Sequence, residues 1–369
     1  MKNLSILLTC LLAFVLLSCE NEIENIHENA TTEPQEKHTR VIVTPKQVGG
    51  SNYTMYDTQG YRNTGIWSSP DNLKLVIGHY HLNPTKVHTQ LQQMYQNGQR
   101  KIGLVIWYTH FPPYWPNSNT HLHTIRSNNS SLPYQQEQNF KNVLQKIKSI
   151  GYNEVTIRFA AQGLAHPEGW QSWNETQFQE NWNFIYNAIN TAENTLGNSS
   201  LKRMYDLDVE MGGRFDGQTV PYMDKLWRNF SYVYPNLKSY GFSIAYAPGR
   251  LDRLIKNLKQ TGRNADEYAI DIYENASQAL ITIKNELNKN REYGKSIVIQ
   301  ETYYNDKQQY RDFISGIKSN NLNVRFIMQW PWRRGFQHPH FSENYPKYYD
   351  NYLPLDVEIP GDECNPICP

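Results

Sequence analysis

The chain has 369 residues, room for one large domain or two ordinary ones. Its 36 basic and 35 acidic side chains leave a net charge of +1, so no field is built for nucleic acid or for anionic lipid. Aromatics reach 13%, with 26 Tyr and 9 Trp, against only 19% charged residues. Together with abundant Asn and Gln, that surface suits neutral, hydroxylated ligands such as sugars.

Residues 1–18 read as an export signal. Lys2 is basic, and residues 4–17 form a largely apolar run too short to span a bilayer comfortably. The stretch Leu16-Leu17-Ser18-Cys19 resembles a bacterial lipobox. That resemblance implies diacylglyceryl transfer to the Cys19 thiol, cleavage before it, and an outer-membrane lipoprotein anchored by several acyl chains. Glu20, Glu22 and Glu24 follow at once, similar to the surface-export signal of Bacteroidetes-type lipoproteins. Residues 19–40 are polar and acidic and read as a flexible tether. Residues 41–355 are expected to form one domain, and residues 356–369 an irregular tail. Of the four cysteines, Cys10 leaves with the signal and Cys19 would be lipidated. Cys364 and Cys368 could close a small disulfide loop outside the cytoplasm. The body of the chain holds no Cys, which excludes thiol chemistry and zinc ribbons there.

Eight apolar, β-branched or aromatic runs then follow in order: residues 73–81, 101–110, 154–163, 204–213, 241–249, 268–275, 296–305 and 324–332. Amphipathic segments separate them. In residues 140–151, Phe140, Val143, Leu144, Ile147 and Ile150 share one helical face, and Gly151 supplies the stop. Strand signals alternating with helices predict parallel βαβ units, and eight of them predict a (β/α)8 TIM barrel in a single domain. An open doubly wound sheet is the alternative, but no Gly-rich phosphate loop follows the first run.

Barrel active sites lie at the C-terminal ends of the strands. Those ends offer His79 and His81, Trp107 and His110, Arg158, Asp208 and Glu210, Tyr246, Asp271 and Tyr273, Glu301, and Trp330 with Trp332. Alternation of side chains puts Asp206, Asp208 and Glu210 on one inward face of the fourth strand. It puts Glu301 on the face of Ile297 and Ile299. A buried acid needs a partner, and Arg158 on the neighbouring strand is the expected partner of Asp208.

Glu210 at the tip of strand four and Glu301 at the tip of strand seven resemble the acid pair of the clan A retaining glycoside hydrolases. That resemblance implies Glu210 as acid/base, Glu301 as nucleophile, Tyr273 touching the nucleophile, and Trp330 flooring a sugar subsite. His79, His81, Trp107, His110, Arg158, Tyr246 and Trp332 would line the substrate site, with Asp208 and Asp271 in support. A glycan is the implied partner, the protein is expected to be a monomer, and neither cofactor nor metal is implied. One departure stands out: Val209 occupies the position where that clan usually has Asn.

Two other readings compete. His79-x-His81 resembles the metal motif of amidohydrolase barrels. Alternatively, a surface barrel could bind glycan without cleaving it. Phe111, Tyr114 and Trp115 within residues 109–123, and Trp170 with Trp173, would then form aromatic platforms.

Overall fold

The computed structural model describes residues 48–57, 73–110, 124–303 and 306–330. Cys19, the 111–123 platform, Trp332 and the C-terminal cysteines lie outside them. Among the described residues no helix is long and apolar enough to cross a membrane.

Among the described residues, eight parallel strands form the core: β1 (Gly50–Asn52), β2 (Lys101–Thr109), β3 (Glu154–Ala161), β4 (Lys202–Asp206), β5 in two pieces (Ser239–Gly241 and Ile244–Ala245), β6 (Tyr268–Asp271), β7 (Ile297–Glu301) and β8 (Val324–Gln329). Each pairs with its sequence neighbour, and β1 also pairs with β8. The first piece of β5 pairs β4 and the second pairs β6, so this single run closes the ring. The barrel expected from the sequence is the fold observed.

Among the described residues, seven longer helices alternate with the strands: α1 (Pro84–Gln96), α2 (Tyr134–Ile150), α3 (Glu175–Leu196), α4 (Thr219–Val233), α5 (Arg250–Gln260), α6 (Ala276–Lys289) and α7 (Lys307–Ser319). Their starts and stops follow local chemistry. Asn83, Asn174 and Asp306 cap α1, α3 and α7 through side-chain oxygens. Gly151, at φ 100°, ends α2 in the left-handed conformation that favours glycine. Phe140, Val143, Leu144 and Ile147 of α2 are fully buried. Each contributes roughly 1.5–3 kcal/mol of apolar burial.

The first strand differs from expectation. Only Leu73–Leu75 of residues 73–81 is extended, and it pairs antiparallel with Met55–Asp57 outside the barrel. Residues 76–82 then coil into short helical turns. The true β1 is the glycine-rich stretch at Gly50. A Cβ at Gly49 would sit 1.8 Å from the Ile327 carbonyl oxygen, and one at Gly50 1.8 Å from that of Lys101. Backbones from both neighbours approach so closely that only glycine fits, which strips the strand of the β-branched residues that announce one.

Side chains fill the interior in layers. At the N-terminal end, Arg325 binds Glu154 at 2.9 Å and Glu267 at 2.7 Å, with Lys101 at 3.4 Å from Glu154. A second apolar cluster sits in the middle: Met204, Tyr240, Ala269, Val298, Phe326 and Met328. The C-terminal layer is polar and carries the candidate site.

Candidate active site

Arg158 organises that layer. It is fully buried on β3, on the same face as Thr156. Its Nε donates to Asp206 Oδ2 at 3.0 Å, and its Nη1 to Asn52 Oδ1 at 3.1 Å and to Glu301 Oε1. Its Nη2 donates to Ser243 Oγ at 3.2 Å and lies 3.6 Å from Asp271 Oδ2. Burial alone would favour the neutral guanidine, but Glu301, Asp271 and Asp206 hold Arg158 above its ordinary value. The expected Arg158–Asp208 pair is therefore corrected to Arg158–Asp206.

The reason lies in where β4 ends. Met204 and Asp206 face inward, Tyr205 and Leu207 pack toward the helices, and regular pairing stops at Asp206. Asp208 no longer follows the alternation. It is buried near Tyr108 on β2 and Tyr222 on α4, and its Oδ2 has no hydrogen-bond partner among the described residues. Burial, then Asp206, push it well above the usual carboxylate range. Glu210 takes a left-handed φ of 57°, and this turn brings its side chain back to the barrel mouth. It is half-buried. Its carboxyl is pushed up to about 7, first by burial and then by Glu301.

Glu301 reaches the site through a bulge. Val298 faces the interior, and Gln300 donates to Met328 there at 3.7 Å, whereas Ile297 and Ile299 pack against the helices. Simple alternation would send Glu301 outward with Ile299. Instead Ile270 pairs Ile299 and Asp271 pairs Glu301, so Gln300 is an extra residue. The bulge re-aims Glu301 inward. Its Oε2 accepts from the Tyr273 hydroxyl at 2.6 Å, and its Oε1 from Arg158. Burial, then the Glu301 and Asp271 charges, push the Tyr273 phenol well above its ordinary value, so it donates throughout the working range.

One carboxylate oxygen each from Glu210, Asp271 and Glu301 lies within 4.8 Å of the other two. Asp271 is buried, and its oxygens accept no hydrogen bond among the described residues. Burial and then Glu301 push it well above the usual range. Three acids sharing one guanidinium cannot all be ionised at neutral pH without large cost. Among the described residues this is the one cluster of His, Cys, Asp or Glu close enough to hold a metal ion. Arg158 already presents a cation to it.

The other expected site residues divide. Trp107 and Trp330 are half-buried and meet edge to face at 6.0 Å between ring centroids. The backbone N–H of Trp330 donates to the Thr302 carbonyl beside Glu301 at 2.9 Å, placing this pair at the β7–β8 end of the site. Tyr246 follows β5, and its N–H donates to the Asp271 carbonyl at 3.0 Å. His110 is tied to Ser127 at 2.6 Å and to Asn181 of α3 at 2.8 Å. His79 and His81 lie in the helical turns after the small hairpin, where the backbone N–H and Nδ1 of His81 each lie 3.2 Å from Asn139 of α2. They do not share a strand face, and neither joins the carboxylate cluster, which removes the chelate expected of a His-x-His strand end.

Two members of the cluster went unnamed in the sequence. Asn52 donates to the Gln300 and Gln329 carbonyls at 2.8 and 3.3 Å besides accepting from Arg158. It fits because its Oδ1 would lie 2.3 Å from any Cβ at position 103, which is glycine. Ser243 is the other, and no local pattern marks it.

No protein-family model matches the chain, and neither does any curated protein. Solved structures do resemble it. A GH5_18 protein from Bifidobacterium longum subsp. infantis matches with a TM-score of 0.53 at 11% identity, covering 83% of this chain and 78% of that one. A GH5_18 variant from Streptomyces cattleya, in complex with Manβ1-4GlcNAc, matches at 0.52 and 11% identity, covering 80% and 74%. At that identity the likeness establishes the barrel fold.

Proposed function

We propose that the protein is a retaining glycoside hydrolase. The observation that carries this reading is the approach of Glu210 and Glu301, with one oxygen of each within 4.8 Å. Carboxyls about 5–5.5 Å apart serve double displacement, whereas inverting pairs stand about 6.5–9.5 Å apart. Glu210, at about 7, still carries much of its proton at neutral pH and delivers it to the leaving oxygen. Glu301, oriented by Arg158 and Tyr273, attacks the anomeric carbon, and the glycosidic bond breaks. Glu210 then takes a proton from water as that water attacks the same carbon and frees Glu301. Trp107 and Trp330 offer ring faces beside the acids.

The resemblance to a protein holding Manβ1-4GlcNAc makes β-mannosides the first substrates to screen. Turnover with retention of anomeric configuration by NMR is the expected result, with Glu301→Gln inactive. Inversion would reject the double displacement. Glycan binding without turnover by the wild type would favour the binding barrel, the reading that Val209 in place of Asn most encourages. Export and lipidation at Cys19 are part of the same proposal: labelled palmitate should be incorporated by the wild type and not by Cys19→Ala.

A further inference from the structure

We propose that Ser243 is a positioning residue that ties the backbone turn carrying the acid/base Glu210 to the guanidinium holding the nucleophile. The inference rests on the roles given above to Glu210 and Glu301. Ser243 is fully buried in the break between the two pieces of β5. Its hydroxyl oxygen accepts twice: from the Glu210 backbone N–H at 2.9 Å and from Arg158 Nη2 at 3.2 Å. Its own N–H donates to Asp206 Oδ1 at 2.9 Å, and its carbonyl accepts from the Gly212 N–H at 2.8 Å. One residue therefore touches the loop on both sides of Glu210, the guanidinium that binds Glu301, and the acid that holds that guanidinium.

Glu210 needs such a hold. A side-chain-bearing residue at φ 57° is less stable there than in extended backbone, so the turn persists only if its surroundings impose it. The loop is seated tightly on the β5 break. A Cβ at Gly212 would meet the Ser243 carbonyl oxygen at 2.7 Å, and one at Gly213 the Arg250 carbonyl oxygen at 2.2 Å. Without the Ser243 oxygen, the Glu210 N–H and one Arg158 N–H both lose a buried acceptor. The carboxyl of Glu210 then drifts from the leaving oxygen, while Glu301 keeps Arg158 Nη1 and Tyr273. The hydroxyl thus acts on the protonation step and leaves the nucleophile in place.

Leaving-group dependence separates this from a merely structural role. The probes are dinitrophenyl and phenyl β-mannosides, or the corresponding glycosides of whichever sugar the wild type turns over. Dinitrophenolate departs without a proton, and phenolate departs well only with one. Ser243→Ala should lose about 10- to 100-fold in kcat/KM on the phenyl glycoside. On the dinitrophenyl glycoside it should stay close to wild type, and Ser243→Thr, which keeps the oxygen, should restore much of the loss. Equal losses on both substrates, no loss on either, or a Thr variant as impaired as Ala would each overturn the proposal. Ser243→Cys, similar in size and a weaker acceptor, gives the same contrast if the Ala variant does not fold. A wild type that cleaves neither glycoside overturns the hydrolase reading and this one with it.

Discussion

Replacing Arg158 by Met tests the centre of the site without reference to substrate. The change keeps an unbranched chain of similar length and removes the charge that faces Asp206, Glu301 and Asp271. All of these groups are nearly or fully buried, so little solvent replaces the lost cation. Breaking a buried pair by deleting one partner costs about 3–5 kcal/mol, and here two hydrogen-bonded acids are left at once. Urea unfolding followed by tryptophan fluorescence should show a deficit of about 3–5 kcal/mol at neutral pH. A loss below about 1 kcal/mol, the worth of an exposed pair, would refute an ionic centre organised by Arg158.

Three further outcomes are expected. Because Glu210 must carry its proton and its carboxyl lies at about 7, kcat/KM on unactivated glycosides should fall above about pH 7, and a profile flat well into alkali would exclude it as the acid. Trp330→Ala should raise KM about 3- to 10-fold, the worth of one aromatic contact, with a smaller change in kcat; an unchanged KM would take Trp330 out of the subsite. Treatment with a metal chelator should leave turnover unchanged, and stoichiometric metal in active protein would revive metal-assisted hydrolysis at the Glu210–Asp271–Glu301 cluster.

Much of this molecule is written locally. The apolar stripe of α2 and its Gly151 stop, the asparagine and aspartate caps, and the β-branched runs at β3, β6, β7 and β8 are properties of short stretches read at a period of two or near four. Their alternation specified an eight-stranded barrel, and strand-end position together with the resemblance to clan A hydrolases pointed to Glu210 and Glu301. What stayed hidden depends on distant segments meeting. β1 is glycine because β2 and β8 press on it, so its strand character exists only in their company. Whether Glu301 faces inward depends on the bulge at Gln300, set by pairing with β6 rather than by its own run. Which acid Arg158 binds depends on β4 ending at Asp206, after which Asp208 and Glu210 leave the alternation in different directions. Ser243 carries no local signal, since its hydroxyl matters only where β5 breaks beside the Glu210 turn. The sequence determined which chemistry the strand ends could offer; the tertiary structure decided which carboxylates meet, because that depends on register, bulges and close backbone approach between strands far apart in the chain.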